Sequence, residues 1–376
     1  MTFAGTLTLY VGRRFLSASM AMLVGLTLLV ALFDFIELLR RAATRPDAGF
    51  ALVAQIAGLR LPFVAMQILP FAVLLGGLLA FWRLSRSSEL VVARAAGVSA
   101  WGFLSGPLAV ALAMGLLGTL AVSPLSSSML ARAERLDHAY LRNASGLTAL
   151  AGGRLWLRQA DRGLDPGGQA IMSGRPVSDR GPTAAVGRGF AMADVSLWRL
   201  SANDRPLARV EAPRARLAPG QWVLEDATTF NADRSAGPPR AVLFPTDLTP
   251  DRIENSFASP DTLSFWALPG FIGVLEAAGF SAVRHRLHFQ SLLSLPVLAA
   301  AMALLSAGFS MRSSRRGGVA RMITAGVAAG FALFVLDRIT GEFGEAGTLP
   351  VALAAWAPSV AGLLLALALL LHLEDG

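Results

Sequence analysis

Six long apolar runs leave this chain few folds to choose from. They cover about Phe15 to Phe33, a stretch within Val53 to Trp82, Trp101 to Val122, Leu287 to Phe309, Met322 to Leu336 and Val351 to Leu371. A helix needs about 20 mostly apolar residues to cross a bilayer core, so the runs read as six transmembrane spans. The first is too long for the core of a signal peptide and is followed by Asp34, Glu37, Arg40 and Arg41 rather than by small residues. It reads as an uncleaved first span. Pro62 and Pro70 predict kinks or a tilt in the second.

Composition agrees with a membrane protein. Of the 376 residues, 54% are hydrophobic and only 15% charged, and the mean hydropathy is +0.55. Such values exclude an ordinary soluble domain. No cysteine is present, which removes disulfides, thiol chemistry and thiolate metal sites. Lysine is also absent: all 33 basic residues are arginine, as a bias toward GC-rich codons would produce. The phosphate-gripping lysine of a P-loop therefore cannot exist here. The net charge of +8 is dispersed rather than gathered into a basic stripe, which argues for membrane flanks and against nucleic acid.

The stretch Arg83 to Ser99, between the second and third spans, has the signals of a compact helix over about residues 85–97. Ser87 and Ser88 suit an N-cap, Glu89 falls in the first turn, and Gly97 can close the far end. Leu90, Val91 and Arg94 then share one side.

From Pro124 to about Asp261 the character changes. Short alternating runs at 154–158, 169–172, 190–200, 207–217, 221–224 and 241–244 are separated by turn signals such as Asp165-Pro-Gly-Gly. They predict an all-β sandwich or related sheet. The region holds 17 arginines against 15 acids, so no ionic partner is suggested. Leu263 to Phe280 is amphipathic and carries Trp266, which predicts a segment lying at a membrane surface. The expected fold is a membrane α-helical protein, six spans in a 3+3 plan with an inserted all-β domain. Its parts are residues 1–123, 124–262, 263–286 and 287–376.

Charge orients the plan. With the N-terminus cytoplasmic, inner flanks hold nine arginines (13, 14, 83, 86, 94, 312, 315, 316 and 321) and the short outer flanks four (40, 41, 45 and 338). The positive-inside rule then predicts cytoplasmic termini and a β domain outside, periplasmic in a bacterium. Arg40 and Arg41 stand on the disfavoured side. Either they are snorkelling partners for Glu37, or their planar guanidinium forks wait for lipid phosphates. Asp337 and Arg338 end the fifth span at that same face.

Enzymatic constellations are missing from the sequence. His285 and His288 have helical spacing but no third ligand, and His138 and His372 are isolated. No nucleophile elbow, Gly-rich dinucleotide loop or HExxH is present. No metal or cofactor is expected. Carboxylates in the spans are too sparse for an attractive proton relay, which Asp34 and Asp337 alone keep open.

Three motifs carry a resemblance: Phe35-Ile-Glu-Leu-Leu-Arg-Arg41, Ser88-Glu-Leu-Val-Val-Ala-Arg-Ala-Ala-Gly97, and Leu263-Ser-Phe-Trp-Ala-Leu-Pro-Gly-Phe-Ile272 leading to Arg284-His-Arg-Leu-His-Phe-Gln290. With them the chain resembles, over nearly its whole length, the lipopolysaccharide-export permeases of the LptF/LptG (YjgP/YjgQ) family, on the LptG side. The resemblance implies an inner-membrane, non-catalytic permease that extracts lipopolysaccharide from the outer leaflet. It implies a second, LptF-like permease and an LptB-like ATPase dimer as partners, and a β-jellyroll that passes lipid to LptC-like and LptA-like jellyrolls. It makes residues 85–97 a coupling helix, with Glu89, Leu90, Val91 and Arg94 toward the ATPase. Arg40 and Arg41, with Glu37, would meet the lipid head group, where the family often has lysines. Asp337 and Arg338 would belong to a gate formed by spans one and five, and spans one, two and five would line a cavity between permeases. Around Asp161 to Gly189 the β domain looks locally divergent.

The energetics suit that reading. At about 0.8 kcal/mol per methylene, wetting one acyl chain costs on the order of 10 kcal/mol, so chains must pass from bilayer to protein without hydration. Two alternatives obey the same sequence: a permease for another amphiphile such as a lipoprotein, and a non-transport envelope scaffold.

Overall fold

The computed structural model describes residues 3–44, 48–87, 89, 100–141, 148–151, 154–161, 168–178, 190–201, 203, 205–231, 235–249, 253, 259–277, 280–312 and 319–374. The chain forms two compact units. One comprises Met1–Arg142, Pro260–Pro269 and Val283–Gly376, the other Asn143–Ser259 and Gly270–Ala282.

The first unit is helical. Its rods are α1 (Phe3–Ala42), α2 (Phe50–Arg86), α3 (Ala100–Leu117), α4 (Ser123–Leu136), α6 (Val283–Arg312), α7 (Val319–Glu345) and α8 (Val351–Glu374). A short α5 (Leu268–Ala277) follows a 3₁₀ turn at Pro260–Thr262. Six rods are long and apolar enough to cross a membrane, α3 and α4 counting as one. They outrun the apolar runs that announce them. The 40 residues of α1 span about 60 Å at the helical rise, roughly twice a bilayer core.

The largest departure from expectation is at Pro124, where the sequence predicts the β domain to begin. Instead the third rod runs on to Leu141, through π turns at Gly118–Val122 and Asp137–Leu141. Pro124 follows the first π turn and has no N–H to give the Leu120 carbonyl four residues back, which accepts from the Trp266 indole instead.

Helix α6 runs through the middle of the bundle. Leu295, Ala299, Met302, Ala303, Leu305 and Ala307 are buried there with Phe15 of α1, Leu74 and Phe81 of α2, Leu104 of α3, Leu333 of α7 and Leu370 of α8. Small residues let the rods approach closely. A Cβ at Gly76 would strike the Ser19 backbone, one at Gly77 the Ser306 side chain, and one at Gly115 the Pro296 backbone. Close backbone approach of this kind is how helices associate in a medium with little hydrophobic contrast.

The second unit is a seven-stranded antiparallel sheet in the order β1-β2-β3-β4-β5-β6-β7. The strands are β1 (Thr148–Ala151), β2 (Arg154–Asp161), β3 (Gly168–Ser178), β4 (Phe190–Leu200), β5 (Pro206–Ala218), β6 (Gln221–Asn231) and β7 (Arg240–Pro245). Each described strand pairs only with its neighbours in the chain. This is a meander, and its order does not establish the two-sheet sandwich or the jellyroll that the sequence suggested.

Alternation places Leu155, Leu157, Met172, Met192, Leu197, Val210, Trp222 and Leu224 on one buried face. The ladder is interrupted on four adjacent strands at matching heights, at Gly174, Asp194, Pro213 and Asp226. Asp194 and Asp226 take positive φ of 50° and 49°, tolerable for a short polar side chain, and Pro213 has no N–H to donate. The register itself shifts beside Gly174, where β3 meets β4, and between Leu224 and Ala227, where β6 meets β7, and bulges of this kind bend strands. At one end Asp161, fully buried, takes both nitrogens of an Arg199 fork at 2.6 Å.

The Leu263–Phe280 segment has its apolar side occupied by protein. Phe265 and Leu268 cluster with Leu292 of α6, while Leu275 and Phe280 join the buried face of the sheet unit. Trp266 is exposed, and its indole Nε1 donates to the Leu120 carbonyl of the first π turn at 3.2 Å.

Candidate functional site

At the end of α1 one carboxylate serves two guanidinium groups. Arg40 donates Nε to Glu37 Oε2 at 2.8 Å and Nη2 to Oε1 at 2.9 Å, and Arg41 Nε reaches Oε1 at 2.9 Å. Spacings of three and four residues put all three on one helix face. One positive charge is left in excess, and Arg40 is 76% exposed. Exposed pairs of this kind contribute little to stability. The arrangement orients the guanidinium groups and leaves outward N–H donors.

A few turns deeper, and absent from the sequence-derived candidates, Arg60 of α2 bridges two carboxylates. Its Nη1 lies 3.1 Å from Asp34 of α1 and its Nη2 3.6 Å from Asp137, which is 3% exposed. The signal was present, because Arg60 interrupts an otherwise apolar span, and a charge there is costly enough to demand a role.

Asp337 and Arg338 of α7 border a cavity of about 300 Å³ within the helical unit. Met66, Pro70 and Phe71 of α2, Leu295, Leu298 and Met302 of α6, and Leu333 and Phe334 of α7 provide an apolar lining. Gln67, Ser123, Ser126, Ser291 and Ser359 supply polar groups, and His288 Nδ1 sits 3.4 Å from Asp261 beside them. Arg338 stacks over the Phe334 ring at 5.4 Å. Among the described residues the Asp337 carboxylate makes no ion pair, as adjacent positions on a helix would dictate. Residues of α2, α6, α7 and α8 line this cavity, and α1 contributes nothing to it. An apolar lining with convergent polar groups is the usual form of a small-ligand pocket.

At the other end of α1 and α2, Glu89 is half-buried and accepts a hydrogen bond from the Ser87 hydroxyl at 2.9 Å. Its expected companions Leu90, Val91 and Arg94 lie outside the described residues. No cluster of three metal-ligating side chains occurs among the described residues.

Residues 9–372 match the family of the lipopolysaccharide export system permease LptF/LptG. The chain belongs to this family. It is 25% identical over 374 residues to the lipopolysaccharide export system permease protein LptG of Escherichia coli (strain K12), with 98% of each chain covered. It is 24% identical over 361 residues to the LptG of Haemophilus influenzae, covering 94% of this chain and 95% of that one. As an LptF/LptG permease, the protein is a multi-pass membrane protein and the non-catalytic subunit of a lipopolysaccharide export ABC system. In that light, three features of the helical unit invite roles: the Arg40–Glu37–Arg41 group, the Asp337 cavity and the end carrying Glu89.

Proposed function

We propose that this LptF/LptG permease draws lipopolysaccharide out of the outer leaflet of the inner membrane through the α7 side of its bundle and delivers it toward the sheet. The work is supplied by a separate ATPase dimer acting at the Glu89 end. The observation that carries the reading is the cavity bordered by Asp337 and Arg338. It offers apolar walls to an acyl chain and polar groups to the head group behind it, so a chain can leave the bilayer without being wetted.

The roles divide by chemistry. Arg40 and Arg41, already oriented by Glu37, hold phosphates, because planar guanidinium groups match phosphate oxygens two at a time. Asp337 and Arg338 stand on the gate helix. Glu89, with Leu90, Val91 and Arg94, meets the ATPase. In this reading both termini and the Glu89 end are cytoplasmic and the sheet periplasmic, in accord with the excess of arginines on that side. A second, LptF-like permease and LptC-like and LptA-like proteins complete the path.

The test is ATP hydrolysis and lipopolysaccharide release by the reconstituted complex. Glu89→Ala is expected to lower hydrolysis about thirtyfold, for the loss of a charged contact of about 2 kcal/mol. Arg40→Ala/Arg41→Ala is expected to keep hydrolysis and to lower release about tenfold, the scale of one charged hydrogen bond. Wild-type values for both variants would overturn the assignment and favour a scaffold.

A further inference from the structure

Where the beginning of α1 meets the end of α2, a second cavity of about 240 Å³ is lined by Arg14, Ser17, Arg83, Ser87 and Glu89. We propose that it holds the phosphodiester head group of an anionic membrane lipid, with an acyl chain lying along α1.

Three observations meet here. First, neither Arg14 nor Arg83 has a carboxylate partner among the described residues; Arg14 only stacks over the Tyr10 ring at 5.3 Å. Many other arginines differ: Arg40, Arg41, Arg60, Arg175, Arg199, Arg209 and Arg216 each engage an acid. Second, two guanidinium groups against the single Glu89 carboxylate leave the lining at +1, the complement of one phosphodiester. The Ser17 and Ser87 hydroxyls stand in the same lining. Third, the exposed side of α1 leads away from the cavity in apolar residues: Met20 and Val24 succeed Ser17 at three- and four-residue spacing and are 42% and 53% exposed. A charged pocket that opens onto an apolar track along a membrane-spanning rod has the form of a lipid site rather than of a free-anion site. Basic pockets between spans bind anionic head groups by this chemistry.

The site lies at the opposite end of the bundle from Arg40 and shares only Glu89 with the reading proposed above. Its test is native mass spectrometry of the full chain in its complex, taken from vesicles of mixed phosphatidylglycerol and phosphatidylcholine. Wild type is expected to retain phosphatidylglycerol in preference. Arg14→Gln/Arg83→Gln is expected to lower that retention about twenty-fivefold, the product of two contacts each worth about fivefold. Arg13→Gln/Arg86→Gln, outside the cavity, should leave it unchanged, and excess inorganic phosphate should not displace the lipid. Equal losses from both arginine pairs would show a diffuse surface charge and overturn the site. So would displacement by inorganic phosphate, which would mark a free-anion pocket.

Discussion

Arg60→Ala is expected to abolish accumulation of folded protein in the membrane. The substitution removes the guanidinium that sits 3.1 Å from Asp34 and 3.6 Å from Asp137, and Asp137 is almost fully buried. Breaking a buried ionic group from one side costs about 3–5 kcal/mol, because the remaining charge stays desolvated. That is of the order of a whole domain's net stability. Arg60 also ties α1, α2 and the far end of the third rod together, so its loss frees three elements at once. Removing all the charge should be milder than removing part of it. Arg60→Met/Asp34→Asn/Asp137→Asn is expected to recover folded protein, read as a monodisperse peak in size-exclusion chromatography after detergent extraction. Equal loss in the single and triple variants would show that packing, and not charge balance, is what Arg60 provides.

Gly76→Ala should also be severe for so small a change. The added Cβ would meet the backbone of Ser19, which is buried and cannot swing aside as a side-chain tip can. Overpacking costs about 1–3 kcal/mol, against a gain in helix propensity of about 1 kcal/mol from replacing glycine. Gly58 lies in the same helix with nothing within 4 Å of its would-be Cβ, so Gly58→Ala keeps the gain without the clash. In thermal unfolding the two alanine variants are expected to move in opposite directions, Gly76→Ala down and Gly58→Ala level or up. A matched response would mean that α1 and α2 do not depend on close approach at Ser19.

The rods and strands were legible because their signals are local. Apolar length marks six spans, and alternation, shifted by one residue at Asp194, marks Phe190–Leu200, whose ends in the structure coincide with those read from the residues. What escaped was set by partners distant in the chain or by exceptions to local rules. Pro124 reads as a break, yet it begins a helical segment after a π turn. Thr148–Ala151 is too short to show a period and is a strand because Arg154–Leu157 pairs with it. The gaps in the ladder at Gly174, Asp194, Pro213 and Asp226 line up across four strands, which no single strand reveals. At the candidate site, Glu37, Arg40 and Arg41 could be grouped by helical spacing. The cavity could not, since Gln67, Asp261, His288 and Asp337 are separated by long stretches of chain and meet only in the packed bundle. Arg60 is the one residue whose importance a charge inside an apolar run already signalled.

The central claim is that lipopolysaccharide passes through the cavity beside Asp337, and photo-crosslinking tests it most directly. A photo-reactive phenylalanine analogue at Phe334 faces that cavity, and the same group at Leu364 sits on an exposed part of α8 outside the cavity lining. In the reconstituted complex the account predicts a lipopolysaccharide adduct at position 334 that changes with ATP, and none above background at 364. Equal adducts at both positions, or none at 334, would contradict it.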